Sequence, residues 1–291
     1  MKKKKRSGVK DATKFKEKGI KFNTEKGQHI LKNPGVVHAI VEKSAVKGTD
    51  TVLEVGSGTG NLSMKLLERA GRLIAYELDN KMVAELKKRV LGTPVQYKLH
   101  IITGDVIKAP EWPAFDVCVS NLPYQISSPF IFRLLLQRPL PRYAVLMLQK
   151  EFADRLLAKP GSKVYCRLSV CVQLLARVEH LMRVKRSEFV PPPKVDSAVE
   201  WDGMLRIAFL RKNKTLLALF KQKQVVNVLS KNYAVVCAAR GQKVPEDFCM
   251  AAHIESVLEG EQFSKRRARS MAIEDFLALM LAFNRTDVHF C

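Results

Sequence analysis

The chain has 291 residues, with 50 Lys and Arg against 28 Asp and Glu, a formal net charge of +22 and a pI near 9.9. Apolar residues make up 47% of it and charged residues 27%, which is typical of a globular protein with one large domain or two modest ones. No apolar run approaches the roughly 18 residues of a membrane span, and the lysine-rich start does not resemble a secretory signal. No cysteine pair has C-x-x-C spacing, so we expect reduced thiols and no metal site.

Positive charge is concentrated in two segments. Residues 1–21 hold ten Lys and Arg against two acidic residues, and residues 133–194 hold thirteen against four. Residues 22–132, by contrast, hold thirteen against eleven. We expect the first segment to be a solvated tail or a nuclear import signal. The second predicts a surface for a polyanion, of which nucleic acid is the commonest.

Strand and helix patterns alternate over the first half of the chain. The predicted elements are a helix at 34–46, a strand at 51–55, a helix at 62–70, a strand at 73–76, a helix at 81–90, strands at 101–102 and 116–120, a helix at 128–136 and a strand at 144–148. This order predicts an α/β fold with a parallel sheet covered on both faces. Ligands of such sheets bind at the carboxyl ends of the strands. Four of these ends carry Gly56, Glu77, Asp105 and Asn121.

Strand patterns stop near residue 211. Helices are predicted at 214–230, 246–258 and 273–283, the second starting at Pro245 and followed by Gly260. We therefore expect a basic tail at 1–21, an α/β domain at 22–210 and a small helical domain at 211–291.

A glycine loop follows the strand at 51–55. Gly56 and Gly58 stand in the pattern G-x-G-x-G, which differs from the pyrophosphate-binding G-x-G-x-x-G of a nicotinamide dehydrogenase. No Lys-Ser or Lys-Thr follows, which excludes a nucleotide P-loop. A carboxylate at Glu77 can accept both ribose hydroxyls, and Asp105 can accept an exocyclic amine. A nucleoside without phosphates fits best, and S-adenosylmethionine is the cofactor that we expect. The alternative is that these residues form plain tight turns.

The tetrapeptide Asn121-Leu122-Pro123-Tyr124 follows the fourth strand. The Asn121 side-chain oxygen and the Leu122 carbonyl could each accept one N–H of an adenine amine, which would free the nitrogen lone pair. Pro123 stiffens the turn, and Tyr124 could stack on a flipped base. Phe189, before a proline run, is a candidate second aromatic face. The alternative is a simple turn with Tyr124 in the core.

Nearly the whole chain, about residues 19–288, resembles the rRNA adenine N6,N6-dimethyltransferase family in its eukaryotic and archaeal branch. The motifs that carry the resemblance are Phe22-Asn-Thr, Gly27-Gln28-His29-Ile30-Leu31-Lys32-Asn33-Pro34, the glycine loop, Glu77, Gly104-Asp105, residues 121–129, Pro191-Pro-Pro-Lys-Val195 and Arg211-Lys-Asn-Lys-Thr215. The resemblance implies a Rossmann-like S-adenosylmethionine-dependent methyltransferase domain with a small C-terminal helical domain. It also implies dimethylation of two adjacent adenosines near the 3′ end of small-subunit rRNA and a role in ribosome assembly.

The resemblance further implies site residues and partners. Cofactor contacts are expected from His29, Leu31, Gly56, Gly58, Glu77, Asp105 and Asn121. The expected partners are small-subunit rRNA and a pre-ribosomal particle, with no membrane, and the protein is expected to be monomeric and nuclear or nucleolar. Family members also serve as assembly or transcription factors, so a binding protein with dispensable methylation is the alternative.

Two departures from the family pattern are visible. Ser57 stands where this branch commonly has proline. The segment 196–203 lacks the strand extension and proline-rich loop of relatives, so either the protein has a shortened loop or disordered residues are absent from the sequence. This departure concerns the last hairpin of the sheet and not the active site. The basic run 264–269 is either a second RNA contact or a solvated helix start.

Overall fold

The computed structural model describes residues 30–185, 189–190 and 203–290. Several features of the sequence analysis lie outside the described residues. They are the basic tail at 1–21, His29, the proline run at 191–193 and the segment 196–202.

Five parallel strands form the central sheet, in the order β4-β3-β2-β5-β6. The strands are β2 (Thr51–Val55), β3 (Arg72–Glu77), β4 (Leu99–Thr103), β5 (Val117–Asn121) and β6 (Tyr143–Met147). From β2 the chain builds outwards to β4 and then returns to the other side of β2 at β5. The crevice between the carboxyl ends of β2 and β5 is therefore a topological switch point, where such sheets bind ligands.

Helices cover both faces of this sheet. They are α1 (Pro34–Lys43), α2 (Asn61–Arg69), α3 (Asn80–Val90), α4 (Ser127–Leu136), α5 (Lys150–Leu156) and α6 (Arg167–Leu175). Alternate residues of β2 point to opposite faces: Val52 packs with Leu66 of α2, whereas Leu53 packs with Phe130 of α4. This confirms the predicted parallel sheet covered on both faces, and each predicted strand and helix up to residue 148 is present. Helices α5 and α6 were not predicted.

The C-terminal region is helical, as predicted, but two of the three helices predicted there have different bounds. Its helices are α7 (Gly203–Phe209), α8 (Leu216–Phe220), α9 (Lys223–Ala239), α10 (Met250–Gly260) and α11 (Ile273–Arg285). The single helix expected at 214–230 is broken at Gln222, whose backbone is extended (φ −63°, ψ 135°). Pro245 lies in a turn before α10 and accepts a hydrogen bond from Phe248, and Gly260 is the last residue of α10 rather than its successor.

The apolar core of the C-terminal helices extends into the preceding part of the chain. Tyr165 is fully buried in that core, and its hydroxyl donates to the Met271 carbonyl at 3.0 Å. Met204 and Ala208 of α7 are buried there too. The domain boundary near Leu210 stays a prediction, because α7 packs with the helices that follow it.

A short second sheet pairs β1 (Ile30–Leu31) with β7 (Phe189–Val190) in antiparallel fashion. Leu31 is the backbone partner of Phe189, so this pairing joins two segments that are far apart in sequence. Across the described ranges, no helix combines the length and apolarity that crossing a membrane requires.

Candidate active site

A cavity of about 360 Å³ lies at the carboxyl ends of the central strands. It is lined by the four strand-end residues singled out in the sequence, Gly56, Glu77, Asp105 and Asn121. Leu31 and Pro123 also line it. The remaining lining residues are Glu54, Val55, Ser57, Asn61, Leu62, Tyr76, Leu78, Asp79, Met82, Gly104, Val106, Gln125 and Ile126. Residues from five separate stretches of the chain therefore share one site.

The glycine loop approaches the turn at 121–124 closely. Gly56 has a φ of +71°, and a Cβ atom there would lie 2.9 Å from the Pro123 ring. Its N–H donates to the Tyr76 carbonyl at 2.8 Å, which fixes the loop to the end of β3. Gly58 also has a positive φ, +53°, but no atom lies near its missing Cβ, and it does not line the cavity. Gly56 is thus needed for space as well as for backbone conformation.

Glu77 is buried and held by two backbone donors. Gly58 N–H donates to Oε2 at 2.8 Å, and Asp79 N–H donates to Oε1 at 3.0 Å. Two such bonds fix the plane of the carboxylate. Each oxygen keeps a lone pair that can accept from a hydroxyl, as the two hydroxyls of a ribose require.

Asp105 begins the loop that follows β4. Its Oδ1 accepts from the Ile107 N–H at 2.9 Å, and its main-chain carbonyl accepts from Lys108 and Ala109, both at 3.1 Å. The loop therefore folds around Asp105 and presents its half-buried side chain to the cavity.

The four residues of the turn after β5 lie in different environments. Asn121 lines the cavity and is half-buried, whereas the Leu122 side chain is buried in the core. The Ser120 hydroxyl donates to the Val55 carbonyl at 2.6 Å and holds β5 against β2. Tyr124 is half-buried outside the cavity lining, and burial raises the pKa of its phenol, so the phenol stays neutral.

Two buried polar groups in the cavity wall suit a ligand with polar groups of its own. Glu54 Oε2 and Ser57 Oγ have no hydrogen-bond partner in the part of the chain that the structure describes. Burial, with a smaller contribution from the Glu77 charge, raises the pKa of Glu54 to about 8, although the Ser63 hydroxyl acts to lower it. Apolar Leu62 and Met82 form other parts of the wall. Such a mixed wall fits a nucleoside joined to an amino acid, and the residues present therefore fit S-adenosylmethionine.

Some site residues were missed from the sequence. Asn61 lines the cavity and links its parts: its Nδ2 donates to the Leu31 carbonyl at 2.9 Å, and its Oδ1 accepts from Arg89 at 2.6 Å. Arg89 also donates to the Thr59 carbonyl at 3.1 Å. No local sequence pattern predicts such contacts, since they join residues about 30 positions apart. Ser57 was noted only as a departure from the family pattern.

The remaining predicted site residues are placed only in part. His29 lies outside the described residues. The backbone of Phe189 pairs with Leu31, which brings this segment to the cavity wall. Their roles stay predictions.

Fold and cavity together define a Rossmann-like methyltransferase that uses S-adenosylmethionine. The chain belongs to the ribosomal RNA adenine dimethylase family, whose profile it matches over residues 19–199. It is an rRNA adenine dimethyltransferase by that membership, which excludes the nicotinamide dehydrogenase alternative.

Relatives from distant eukaryotes cover nearly the whole chain. A probable dimethyladenosine transferase of Caenorhabditis elegans is 61% identical over 93% of this chain and 92% of its own length. A dimethyladenosine transferase of Schizosaccharomyces pombe is 50% identical over 93% of both chains. The crystal structure of a dimethyladenosine transferase from Plasmodium falciparum has a TM-score of 0.80 and 43% identity, and covers 90% of this chain and all of that one. The 23S rRNA methyltransferase ErmE, at 23% identity and a TM-score of 0.54, covers 88% of this chain and 99% of its own and shares the fold.

Proposed function

We propose that the protein dimethylates N6 of two adjacent adenosines near the 3′ end of small-subunit rRNA, and that it acts as an assembly factor on the pre-ribosomal particle. The observation that carries the catalytic part is the close approach of the glycine loop to the turn at 121–124. Because Gly56 touches Pro123, the cofactor cavity and the turn that would hold the reacting base share a wall.

The cavity residues would bind and orient the cofactor. Glu77 would accept from the ribose hydroxyls, and Asp105 would accept from the adenine amine. When bound, S-adenosylmethionine supplies an electrophilic methyl group on a sulfonium. The chain contributes alignment of the two reactants, which by itself can supply much of a rate enhancement.

Asn121 and Leu122 would prepare the substrate amine. The adenine nitrogen is a poor nucleophile because its lone pair is delocalised into the ring. Acceptors at the Asn121 side-chain oxygen and the Leu122 carbonyl would favour a tetrahedral nitrogen with a localised lone pair. The amine then needs no strong general base, because it can lose its proton to water or a carbonyl after it has attacked.

Basic residues in the loops between the C-terminal helices support RNA binding. The exposed Arg211, Lys214 and Arg267 line one surface depression. Arg269 stands beside it, and its guanidinium donates to Asn213 at 3.4 Å and to the Gly161 carbonyl at 3.0 Å. This arrangement favours the reading of the run 264–269 as a second RNA contact.

The basic segment 133–194 is only partly available for RNA. Arg142 donates to Asp50 at 2.7 Å, and the Asp50 side chain is only 2% exposed, so this arginine neutralises a buried acid. Lys185 is exposed and remains a candidate RNA contact. Arg142 belongs to the segment predicted to face RNA and also has an internal partner 92 residues away, which charge counting cannot detect.

Nuclear or nucleolar localisation and a monomeric state belong to the same proposal. They rest on the basic segment 1–21 and on the family resemblance. A binding factor with dispensable methylation is the outcome that the experiment below would reveal.

The test is methylation of undermethylated small ribosomal subunits with labelled S-adenosylmethionine, followed by nucleoside analysis. We expect dimethyladenosine in small-subunit rRNA and none in large-subunit rRNA. Asn121→Ala should lower the single-turnover rate on the order of a hundredfold, as loss of one preorganised polar group does elsewhere. Tyr124→Ala should weaken base capture, whereas Tyr124→Phe should be nearly silent if stacking is its role.

The matched control is Asn227→Ala, on the exposed face of α9. A fully active Asn121→Ala would reject the mechanism. RNA binding without any product from the wild type would leave the binding factor as the function.

A further inference from the structure

Arg133 belongs to α4 but makes its contacts with the loop that follows β4. Its Nη1 donates to the carbonyls of Val106 at 3.2 Å and Ile107 at 2.6 Å, and its Nη2 donates to the Pro110 carbonyl at 3.2 Å. A guanidinium offers five N–H groups in one plane, so a single side chain can bind several carbonyls of one loop. Although Arg133 lies in the basic segment 133–194, these bonds commit it to the protein interior.

Trp112 also binds this loop, and Arg133 and Trp112 together form a clamp on it. The Arg133 guanidinium carbon lies 4.7 Å from the centroid of the Trp112 ring, and the indole Nε1 donates to the Val106 carbonyl at 2.8 Å. Trp112 in turn packs against Phe130, one turn before Arg133 on α4, with ring centroids 5.1 Å apart. The Val106 carbonyl thus accepts from two side chains.

The clamped loop is the one that presents Asp105. Ile107 is held on both sides, because its N–H donates to the Asp105 carboxylate and its carbonyl accepts from Arg133. A change in the position of Ile107 therefore moves the Asp105 carboxylate. Val106, which lies between Asp105 and Ile107, also lines the cavity.

The same helix also starts beside the substrate turn. Helix α4 begins at Ser127, directly after the 3₁₀ turn Tyr124–Ile126. Its first turn follows the residues that would hold the substrate base, and its second turn carries the cation that holds the Asp105 loop. The helix therefore sets the distance between the two base-binding regions.

We propose that Arg133 is a positioning residue for recognition of the cofactor's adenine, acting through the Val106–Pro110 loop on the Asp105 carboxylate. This inference rests on the proposed role of Asp105 as the acceptor for the 6-amino group. It predicts that Arg133 affects the choice between adenine and a base without that amine more than it affects binding of the rest of the cofactor.

The test uses calorimetric titration with two ligands, S-adenosylhomocysteine and S-inosylhomocysteine, which differ in the group at position 6 of the purine and in the proton that the inosine base carries on N1. Asp105→Asn is the reference variant, because an amide can donate to the inosine oxygen and should erase or reverse the preference for adenine. Arg133→Met removes the donors at similar length and should reduce the preference about five- to tenfold, as loss of charge-assisted hydrogen bonds would. Arg133→Lys, with one ammonium in place of the planar fork, should fall between.

Two further variants make the result unambiguous. Trp112→Phe keeps a ring but loses the indole donor, and it should reduce the preference for adenine in the same direction. It therefore provides the test if Arg133→Met does not fold. Arg69→Met, on the exposed end of α2, should leave the preference unchanged. An unaltered preference in Asp105→Asn would reject the assignment of Asp105. If Asp105→Asn alters the preference but the folded Arg133 and Trp112 variants keep the wild-type preference, the positioning role of Arg133 is overturned and the role of Asp105 stands. This holds even if the melting temperatures of the Arg133 and Trp112 variants are lowered.

Discussion

At the scale of single residues, two buried carboxylates of the cavity, Glu77 and Glu54, differ in their hydrogen bonding. Glu77 accepts from two backbone N–H groups. One oxygen of Glu54 has no partner in the described structure, and burial raises the pKa of Glu54 to about 8.

Replacement of Glu77 should weaken cofactor binding. Loss of a charged hydrogen-bonding partner costs about 1.5–3 kcal/mol, or roughly 10- to 150-fold in affinity. Calorimetric titration of Glu77→Ala and Glu77→Gln measures this, and Glu68→Gln, on the exposed face of α2, is the matched control. Unchanged affinity in both Glu77 variants would remove Glu77 from the site.

The raised pKa of Glu54 predicts a pH dependence of stability. In the folded protein Glu54 keeps its proton up to about pH 8, whereas in the unfolded chain it loses it near its ordinary value of 4.5. The folded state binds more protons between these values, so stability falls as pH rises through this window, by at most about 1.4 kcal/mol per pH unit.

Glu54→Gln removes this titration and should flatten the decline. We expect the melting temperature of the wild type to fall by a few degrees more than that of Glu54→Gln between pH 6 and pH 8. Parallel thermal unfolding curves in the two backgrounds give the comparison. Equal pH profiles would show that Glu54 is ionised in the folded protein.

At the scale of elements, the glycine loop and the turn at 121–124 act as one unit. Gly56 and Gly58 have similar positive φ values, but only Gly56 has a neighbour where its Cβ would be, 2.9 Å from Pro123. The two glycines therefore separate the effect of backbone strain from the effect of contact between the two loops.

Gly58→Ala should cost only backbone strain, about 1–2 kcal/mol of unfolding free energy. Gly56→Ala carries the same strain and also displaces Pro123, so it should lower both stability and the methylation rate further. Chemical denaturation and single-turnover kinetics on both variants test this. Equal behaviour of the two would mean that the contact with Pro123 has no effect on the turn.

At the scale of the whole molecule, basic residues differ in whether they are shown to hold an internal partner. Arg133 donates to a loop, and Arg142, although exposed, pairs with buried Asp50, whereas Lys214 and Arg267 are exposed at one depression formed by loops between the C-terminal helices. Net charge alone did not distinguish these groups, because it depends on composition and not on internal partners.

Charge reversal at Lys214 and Arg267 should weaken binding to a small-subunit rRNA fragment and flatten its salt dependence. Each lost phosphate contact reduces the log–log slope by roughly 0.7–0.9. Binding titrations at several salt concentrations measure the slope, with Lys223→Glu and Lys231→Glu on the exposed part of α9 as controls of equal charge. The same slope in both pairs would show that the depression is only a solvated surface.

Much of the fold could be predicted because it is encoded locally. The strand at 51–55 is a short apolar run before glycines, and the helix at 81–90 repeats its apolar residues every three or four positions, so both were found within one or two residues. The break at Gln222 and the helices α5 and α6 were missed, because apolar spacing there does not differ from that of a longer helix or of a loop packed on the core.

The sequence by itself determined the order of strands and helices up to residue 148, the positions of Gly56, Glu77, Asp105 and Asn121 at strand ends, and the family, since these depend on residue types at short spacing. Only the tertiary structure decided which side chains meet. The pairing of Arg142 with Asp50 and the contacts of Arg133 and Trp112 with the Asp105 loop join residues that are apart along the chain, and only the structure shows that one buried Glu54 oxygen has no partner among the described residues. Burial and long-range hydrogen bonds arise from packing of the whole chain, and no local pattern records them.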